Sequence, residues 1–264
     1  MVANLAVNGA IADLAPEPTA FQYDTLRMSP LIRAATALAL GLVVSPALAQ
    51  EKLTNYQLVI LRPGPAQASA GTPEGQKIIK EHVAHLYKLG ADRQSMAAGP
   101  FTASGGNIAG ILIMKAESPE KARELESADP GVKAGIFTVE VLPFMALDAG
   151  MRAWAEYPQF ETVYFGFLDT GPNRTQDADT AKRLQAEHLA YMGDQHKQGK
   201  LIFAGPFVDA GTHRGLVVYR VGSMEEAKSR AEGDPMVKVG RLAVDLHAWQ
   251  VPRGALPESL IPNP

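Results

Sequence analysis

The chain writes one segment twice. EHVAHLYKLGADRQSMAAGPF begins at Glu81 and EHLAYMGDQHKQGKLIFAGPF begins at Glu187. Both open on Glu-His, both close on Ala-Gly-Pro-Phe, and they match end to end without a gap. After a one-residue change in the next loop the register resumes. Gly110 then meets Gly215, Ser118 meets Ser223 and Ala122 meets Ala227. Asp129-Pro130 meets Asp234-Pro235, and Gly135 meets Gly240. Upstream, Gly64-Pro65 meets Gly171-Pro172. Chance does not keep such identities in order. The period is too long for a solenoid unit and there are two copies, so this is a domain duplication. The reading gives a first domain over 54–146, a linker over 147–159, a second domain over 160–252 and a tail over 253–264.

Each copy reads β-α-β-β-α-β. NYQLVILR from Asn55 and TVYFGFLD from Thr162 are rich in β-branched and aromatic residues, which favours strands. Thr72 before Pro73 reads as a helix N-cap with proline in the first turn. The helix stripe is Ile78, His82, Leu86 and Leu89, answered in the second copy by Leu184, His188 and Met192. SMAAGPF and LIFAGPF read as short strands ending in a Gly-Pro turn. Ser118 and Ser223 cap the second helix, with Glu226 completing a capping box that Lys121 breaks in the first copy. Pro130 and Pro235 stop that helix. This order is the ferredoxin-like unit, an α+β fold with both helices on one sheet face. The other face is apolar and needs a cover. Two units on one chain cover each other sheet against sheet, as an intramolecular pair with pseudo-two-fold symmetry.

The 264 residues suffice for one large domain or two small ones, and 46% of them are hydrophobic. A net charge of −3 gives no electrostatic footprint for nucleic acid. Cysteine is absent, which excludes disulfides, thiolate metal sites and a cysteine nucleophile. Met28 to Gln50 carries Arg33, an apolar run from Ala34 to Val44, Pro46 and an Ala47-Leu48-Ala49 cleavage site. These are the parts of a secretory signal in order, and the run is too short to span a bilayer. The expectation is a signal peptide over 28–49, an upstream extension over 1–27, translation from Met28, and a periplasmic or secreted product. No membrane anchoring is expected after cleavage. The expected assembly is a monomeric pseudo-dimer or a higher homo-oligomer.

Chemistry concentrates on four residues. His82 and His188 lie on apolar helix stripes, and Asp129 and Asp234 end the second helix of each copy. Both helices pack on one sheet face, so each His can meet its Asp. An Asp that accepts from one ring nitrogen fixes the tautomer and leaves the other as a base. That suits proton abstraction beside a carbonyl or phenol. No Ser or Thr recurs nearby to make a covalent intermediate. A histidine on a helix stripe is also a common core residue, and an Asp before Pro a common turn residue. His82 and His85 have metal-ligand spacing, but Tyr191 replaces His85 in the second copy and no third ligand is evident, so neither metal nor cofactor is expected. His196, His213 and His247 have no histidine counterparts and are expected on the surface. Glu81 and Glu187 are expected in solvent. Gly64-Pro65 and Gly171-Pro172 are turns rather than phosphate loops.

His82-Val83-Ala84, Ala98-Gly99-Pro100, Ser118-x-Glu120-x-Ala122 and Ala128-Asp129-Pro130-x-Val132-x-x-Gly135 together resemble the YCII-related family. The second copy repeats the pattern with His188, Ala204-Gly205-Pro206, Ser223-x-Glu225-x-Ala227 and Asp234-Pro235-x-Val237-x-x-Gly240. The resemblance implies the dimeric α+β barrel fold. It also implies a His-Asp dyad as active site, carried over to His82 with Asp129 and His188 with Asp234. Some relatives are dehydrochlorinases of chlorinated hydroxyquinones, and the wider fold includes lactone isomerases and small monooxygenases. This chain departs in being duplicated and in reading as exported. It also lacks a Gly-Ser at the strand entering at Gly110 and a basic residue at Ile79 or Gln185. Two functions stay open at this level. One is a cofactor-independent lyase, isomerase, hydrolase or dehydrohalogenase-type enzyme acting on an unidentified small molecule. The other is a non-enzymatic periplasmic binding or stress-related module in which the dyads are structural.

Overall fold

A computed structural model describes residues 53–102, 107–150, 152–154, 159–174, 177–208 and 211–257. The signal peptide and the upstream extension lie outside them. Among the described residues, no helix is long and apolar enough to cross a membrane. The first half comprises β1 (Leu53–Pro63), α1 (Pro73–Ala91), β2 (Ser95–Pro100), β3 (Gly110–Met114), α2 (Pro119–Glu126), the single turn α3 (Pro130–Lys133) and β4 (Phe137–Leu147). The second half repeats this order with β5 (Phe160–Thr170), α4 (Ala178–Lys197), β6 (Leu201–Pro206), β7 (His213–Tyr219), α5 (Met224–Glu232), α6 (Pro235–Lys238) and β8 (Leu242–Pro252). The sheets run β2-β3-β1-β4 and β6-β7-β5-β8, with every pairing antiparallel. This is the expected ferredoxin-like topology, twice.

Strand alternation sends each β1 and β5 residue to one of two layers. Tyr56, Leu58 and Ile60 join Val163, Phe165 and Phe167 in one core cluster that spans both halves. Tyr164 and Leu168 instead pack with Leu184, Ala227 and Met236 of the second half's helices. In the shared layer Tyr56 stacks on Phe144 at 5.6 Å and meets Phe203 edge-on at 5.6 Å. Each fully buried aromatic of this kind contributes about 1.5–3 kcal/mol by leaving water.

The two sheets do more than face each other. Their outer strands hydrogen-bond and close the barrel. Thr102 N–H donates to Ala248 O at 2.9 Å on one seam, and Val208 N–H donates to Pro143 O at 2.8 Å on the other. Bridges pair Phe101 with Trp249 and Phe144 with Phe207. The repeated Ala-Gly-Pro-Phe is therefore seam backbone and not the turn expected of it. A Cβ on Gly99 would stand 1.8 Å from Gln250 O, and one on Gly205 would stand 1.9 Å from Met145 O. Only glycine lets the strands approach so closely. Trp249 adds a hydrogen bond from Nε1 to Gly99 O at 3.1 Å.

The join between the halves is partly tied down. Trp154 donates Nε1–H to Met96 O at 3.0 Å and packs on Gly90 of α1. Local signals act as expected at the helix starts. Thr72 caps α1 by accepting from Gly75 N–H at 3.1 Å, and Ser118 and Ser223 accept from Lys121 and Glu226 N–H at 3.2 Å. Glu226 reaches back to Gly222 N–H at 3.1 Å, one residue before the cap. The buried face of α1 is turned slightly from the expected stripe. Gly75, Ile79, His82, Val83 and Leu89 are buried, while Ile78 and Leu86 are half-buried.

Candidate active site

His82 lies mid-way along α1, whose apolar face presses on the sheet. Asp129 is the N-cap of α3, where its Oδ1 accepts from Gly131 N–H at 2.6 Å. Its other oxygen, Oδ2, takes the Nδ1–H of His82 at 2.6 Å. The second half repeats this arrangement. Asp234 Oδ1 accepts from Met236 N–H at 2.8 Å, and Asp234 Oδ2 meets His188 Nδ1 at 2.6 Å. Each carboxylate thus has two tasks at once: capping a helical turn and orienting an imidazole. The turn begins with proline in both halves, which pre-sets the backbone that aims the carboxylate.

With Nδ1 committed to a carboxylate, Nε2 is the nitrogen left to accept a proton. The His82 ring lines a small cavity of about 30 Å³ with Leu61, Leu86, Gly99, Ile111 and Phe137. That volume is room for no more than a few waters. Phe137 sits against the ring at 4.8 Å. The side chain of His82 is 4% exposed and that of His188 is 12% exposed, so the second imidazole is nearer solvent.

The first half holds two further ionisable groups that the sequence reading did not connect. Glu126, the last residue of α2, is fully buried, and neither carboxylate oxygen has a hydrogen-bond partner. Burial pushes its carboxyl up to about 8, helped by the negative charge of Asp129. His85 has a buried Nε2 with no partner, and burial holds its imidazole below the ordinary value. Ligand atoms of His85, Glu126 and Asp129 lie within 4.8 Å of one another. The spacing of His82 and His85 suggested a site without a third ligand. In the fold His82 turns to Asp129, while His85 meets two carboxylates.

The second half lacks this cluster. In register, Ala231 stands for Glu126 and Tyr191 for His85. Tyr191 donates its hydroxyl to Arg230 O at 2.8 Å. Arg214 stands where Ala109 lines the first cavity, and its Nε donates to Thr170 Oγ1 at 2.7 Å.

Three histidines expected on the surface are half-buried instead. His247 stacks on Phe101 at 4.5 Å with the rings 2° from parallel. It sits at a barrel-facing position of β8 opposite Phe165. His213 pairs through Nδ1 with Asp169 at 2.5 Å, and His196 donates Nδ1–H to Leu201 O at 2.7 Å. Alternation along β8 was the available signal for His247. Glu81 and Glu187 are exposed as expected.

Comparison with known proteins agrees with this architecture. The YCII-related domain model matches twice, over residues 57–145 and 167–249. No curated protein matches the chain by sequence. Among solved structures, TA0507, provisionally described as a chlorite dismutase, is 8% identical. That match covers 75% of this chain and 95% of that one, with a TM-score of 0.51. A mutant chlorite dismutase from Candidatus Nitrospira defluvii is 7% identical, with 76% and 93% of the chains covered and a TM-score of 0.51. At such identities the likeness is one of fold. The paired domain matches, the twofold ferredoxin-like topology and the closed barrel together make this chain a member of the YCII-related family that carries its domain in tandem.

Proposed function

We propose that the protein is a small-molecule enzyme in which an aspartate-oriented histidine removes a proton, as a lyase, isomerase or dehydrohalogenase-type catalyst would. The observation that carries this reading is the Nδ1–Oδ2 contact of 2.6 Å, present in both halves on the same two elements. Nε2 would take a proton from a carbon or hydroxyl next to a carbonyl or phenol. The broken C–H or O–H bond leaves its electron pair on the substrate. That pair forms a new double bond as a leaving group departs with its own electrons, or it recaptures a proton elsewhere. The imidazolium formed meanwhile is stabilised by the adjacent carboxylate. Site work at an exported location is part of the proposal, on the strength of Arg33, the Ala34–Val44 run and Ala47-Leu48-Ala49. N-terminal sequencing of the exported protein tests it, with a mature start near Gln50 expected and one far upstream against it.

The test of chemistry is a thermal-shift screen against lactones, quinols and haloaromatics, followed by turnover assays on the hits. A true ligand raises the melting temperature by mass action. His82→Ala combined with His188→Ala is expected to remove turnover without unfolding the chain, and full activity in that double variant would end the catalytic claim.

One observation favours a second reading, a binding or structural module. The cavity at His82 is about 30 Å³, whereas ligand pockets run to about 300 Å³ or more. Under that reading the aspartates serve the helix caps and the histidines fill the core. No compound in the screen would then be turned over.

A further inference from the structure

Glu126 poses a problem of charge and hydrogen bonding. It is 0% exposed, beside the equally buried Asp129, and both its oxygens lack a partner. An isolated buried carboxylate costs several kcal/mol unless something compensates it. The Asp129 carboxylate is already engaged by Gly131 N–H and His82 Nδ1–H. A proton on Glu126 would remove its charge and let its O–H turn toward His85, but would leave its second oxygen without a donor. The buried Nε2 of His85 is the third unpartnered atom of the group. One occupant answers all three: a cation held between them.

We infer that His85, Glu126 and Asp129 form a binding site for one divalent first-row transition ion, of the Zn2+ class, confined to the first half. The donors are one imidazole nitrogen and two carboxylates, a borderline set that suits Zn2+, Co2+ or Mn2+ and not the six to eight oxygens that Ca2+ takes. Donors about 2.1 Å from a common tetrahedral ion lie roughly 3.4 Å apart. The three ligand atoms lie within 4.8 Å of one another. A side-chain adjustment of about an ångström gathers them. A dication also neutralises the two carboxylates, which explains why both tolerate full burial. Three protein ligands leave the fourth position to water, an open site by coordination number. His82 is then the outer-shell donor to the ligating Asp129, the usual way a ligand carboxylate is held. The second half cannot bind the ion, because Ala231 and Tyr191 occupy the register of Glu126 and His85.

The experiment uses the full mature chain, stripped with EDTA and titrated with Zn2+ by calorimetry, with stoichiometry by elemental analysis. One ion per chain is expected, with a rise in melting temperature. Co2+ in its place should give visible ligand-field bands. The variant His85→Tyr with Glu126→Ala installs residues that the second half already accommodates, so it should fold. Its Zn2+ affinity should drop by about 100-fold or more, and Glu126→Gln alone should weaken binding about tenfold or more. Circular dichroism confirms that both variants are folded. A stripped protein that binds none of Zn2+, Co2+ or Mn2+ overturns the inference. So does undiminished affinity in the double variant.

Discussion

Asp129 and Asp234 do the same two jobs, yet the ground behind them differs. Behind Asp234 two substitutions relative to the first half remove a buried charge or give a polar atom a partner. Glu126 becomes Ala231, and His85 becomes Tyr191 with its hydroxyl bonded to Arg230 O. The first half keeps the buried carboxylate and imidazole unpartnered. It also pairs Gly131 with Phe137, where a Cβ would meet the Phe137 ring at 2.8 Å. The second half exchanges volume across the same contact, with Met236 and Leu242 both in its helix-side core. Duplication thus preserved what orients the imidazole and let the rest diverge. The physical contrast is a first half that keeps unpartnered buried polar atoms and a second half that fills the same places with packed or bonded side chains.

The strongest test of that contrast is to silence each imidazole separately. Loss of a general base costs on the order of 100- to 10,000-fold in turnover. If only the first half works, His82→Ala should carry the whole loss and His188→Ala almost none. Equal losses would mean that the surroundings do not matter and the shared dyad does. Rates measured on a hit from the ligand screen decide between them.

Next in size come the two seams, where the halves should behave alike. Gly99→Ala and Gly205→Ala place a Cβ within 2 Å of the facing carbonyl, at 1.8 Å and 1.9 Å. Neither carbonyl can retreat without parting the barrel edges, so each should cost about 3 kcal/mol in urea unfolding. Gly99→Ala should cost slightly more, because parting that seam also breaks the Trp249 hydrogen bond to Gly99 O, and Phe144 offers no such donor on the other side. A cost under about 0.5 kcal/mol at both sites would mean that the barrel is not closed by backbone contact.

How far these features could be read in advance follows from their range along the chain. The strands, the longer helices with their serine and threonine caps, and the tandem topology rest on local pattern and on a repeat, and were legible. Pro130 and Pro235, read as stopping a helix, instead open a new turn that Asp129 and Asp234 cap. The seam was not. Gly99 meets Gln250, and the sequence around Ala98-Gly99-Pro100-Phe101 carries only local turn chemistry. The imidazole–carboxylate pairs were legible because both copies keep them. His85 and Glu126 were not, for the converse reason. An argument from repetition discards whatever one copy has and the other lacks. His247 was misplaced because it was judged by its lack of a histidine counterpart, and not by its place in the alternation of β8.

A smaller effect concerns the buried carboxylate itself. In EDTA-treated protein, Glu126→Ala should stabilise the fold by about 1 kcal/mol. It removes an unsatisfied buried group worth about 1–3 kcal/mol and loses some packing in return. The reverse change in the other half, Ala231→Glu, should destabilise by about 3 kcal/mol, since no histidine stands opposite. Opposite signs sharpen the contrast between the halves. The same sign for both would show that the two helix ends are equivalent environments.

The smallest difference lies at the caps of α2 and α5. Ser118 and Ser223 make the same bond to the third helical N–H at 3.2 Å, so each serine-to-alanine change should cost about 1 kcal/mol. The second half adds Glu226, which accepts from Gly222 N–H and from the Arg230 guanidinium. Glu226 then holds its entering turn after the serine hydroxyl is gone, whereas Lys121 cannot accept a hydrogen bond. Ser118→Ala should therefore be the costlier of the two by a few tenths of a kcal/mol, resolvable as a midpoint shift in paired urea titrations. If Ser223→Ala proves costlier instead, the serine and Glu226 act as one cooperative cap, and the second half is the more tightly specified at this helix end.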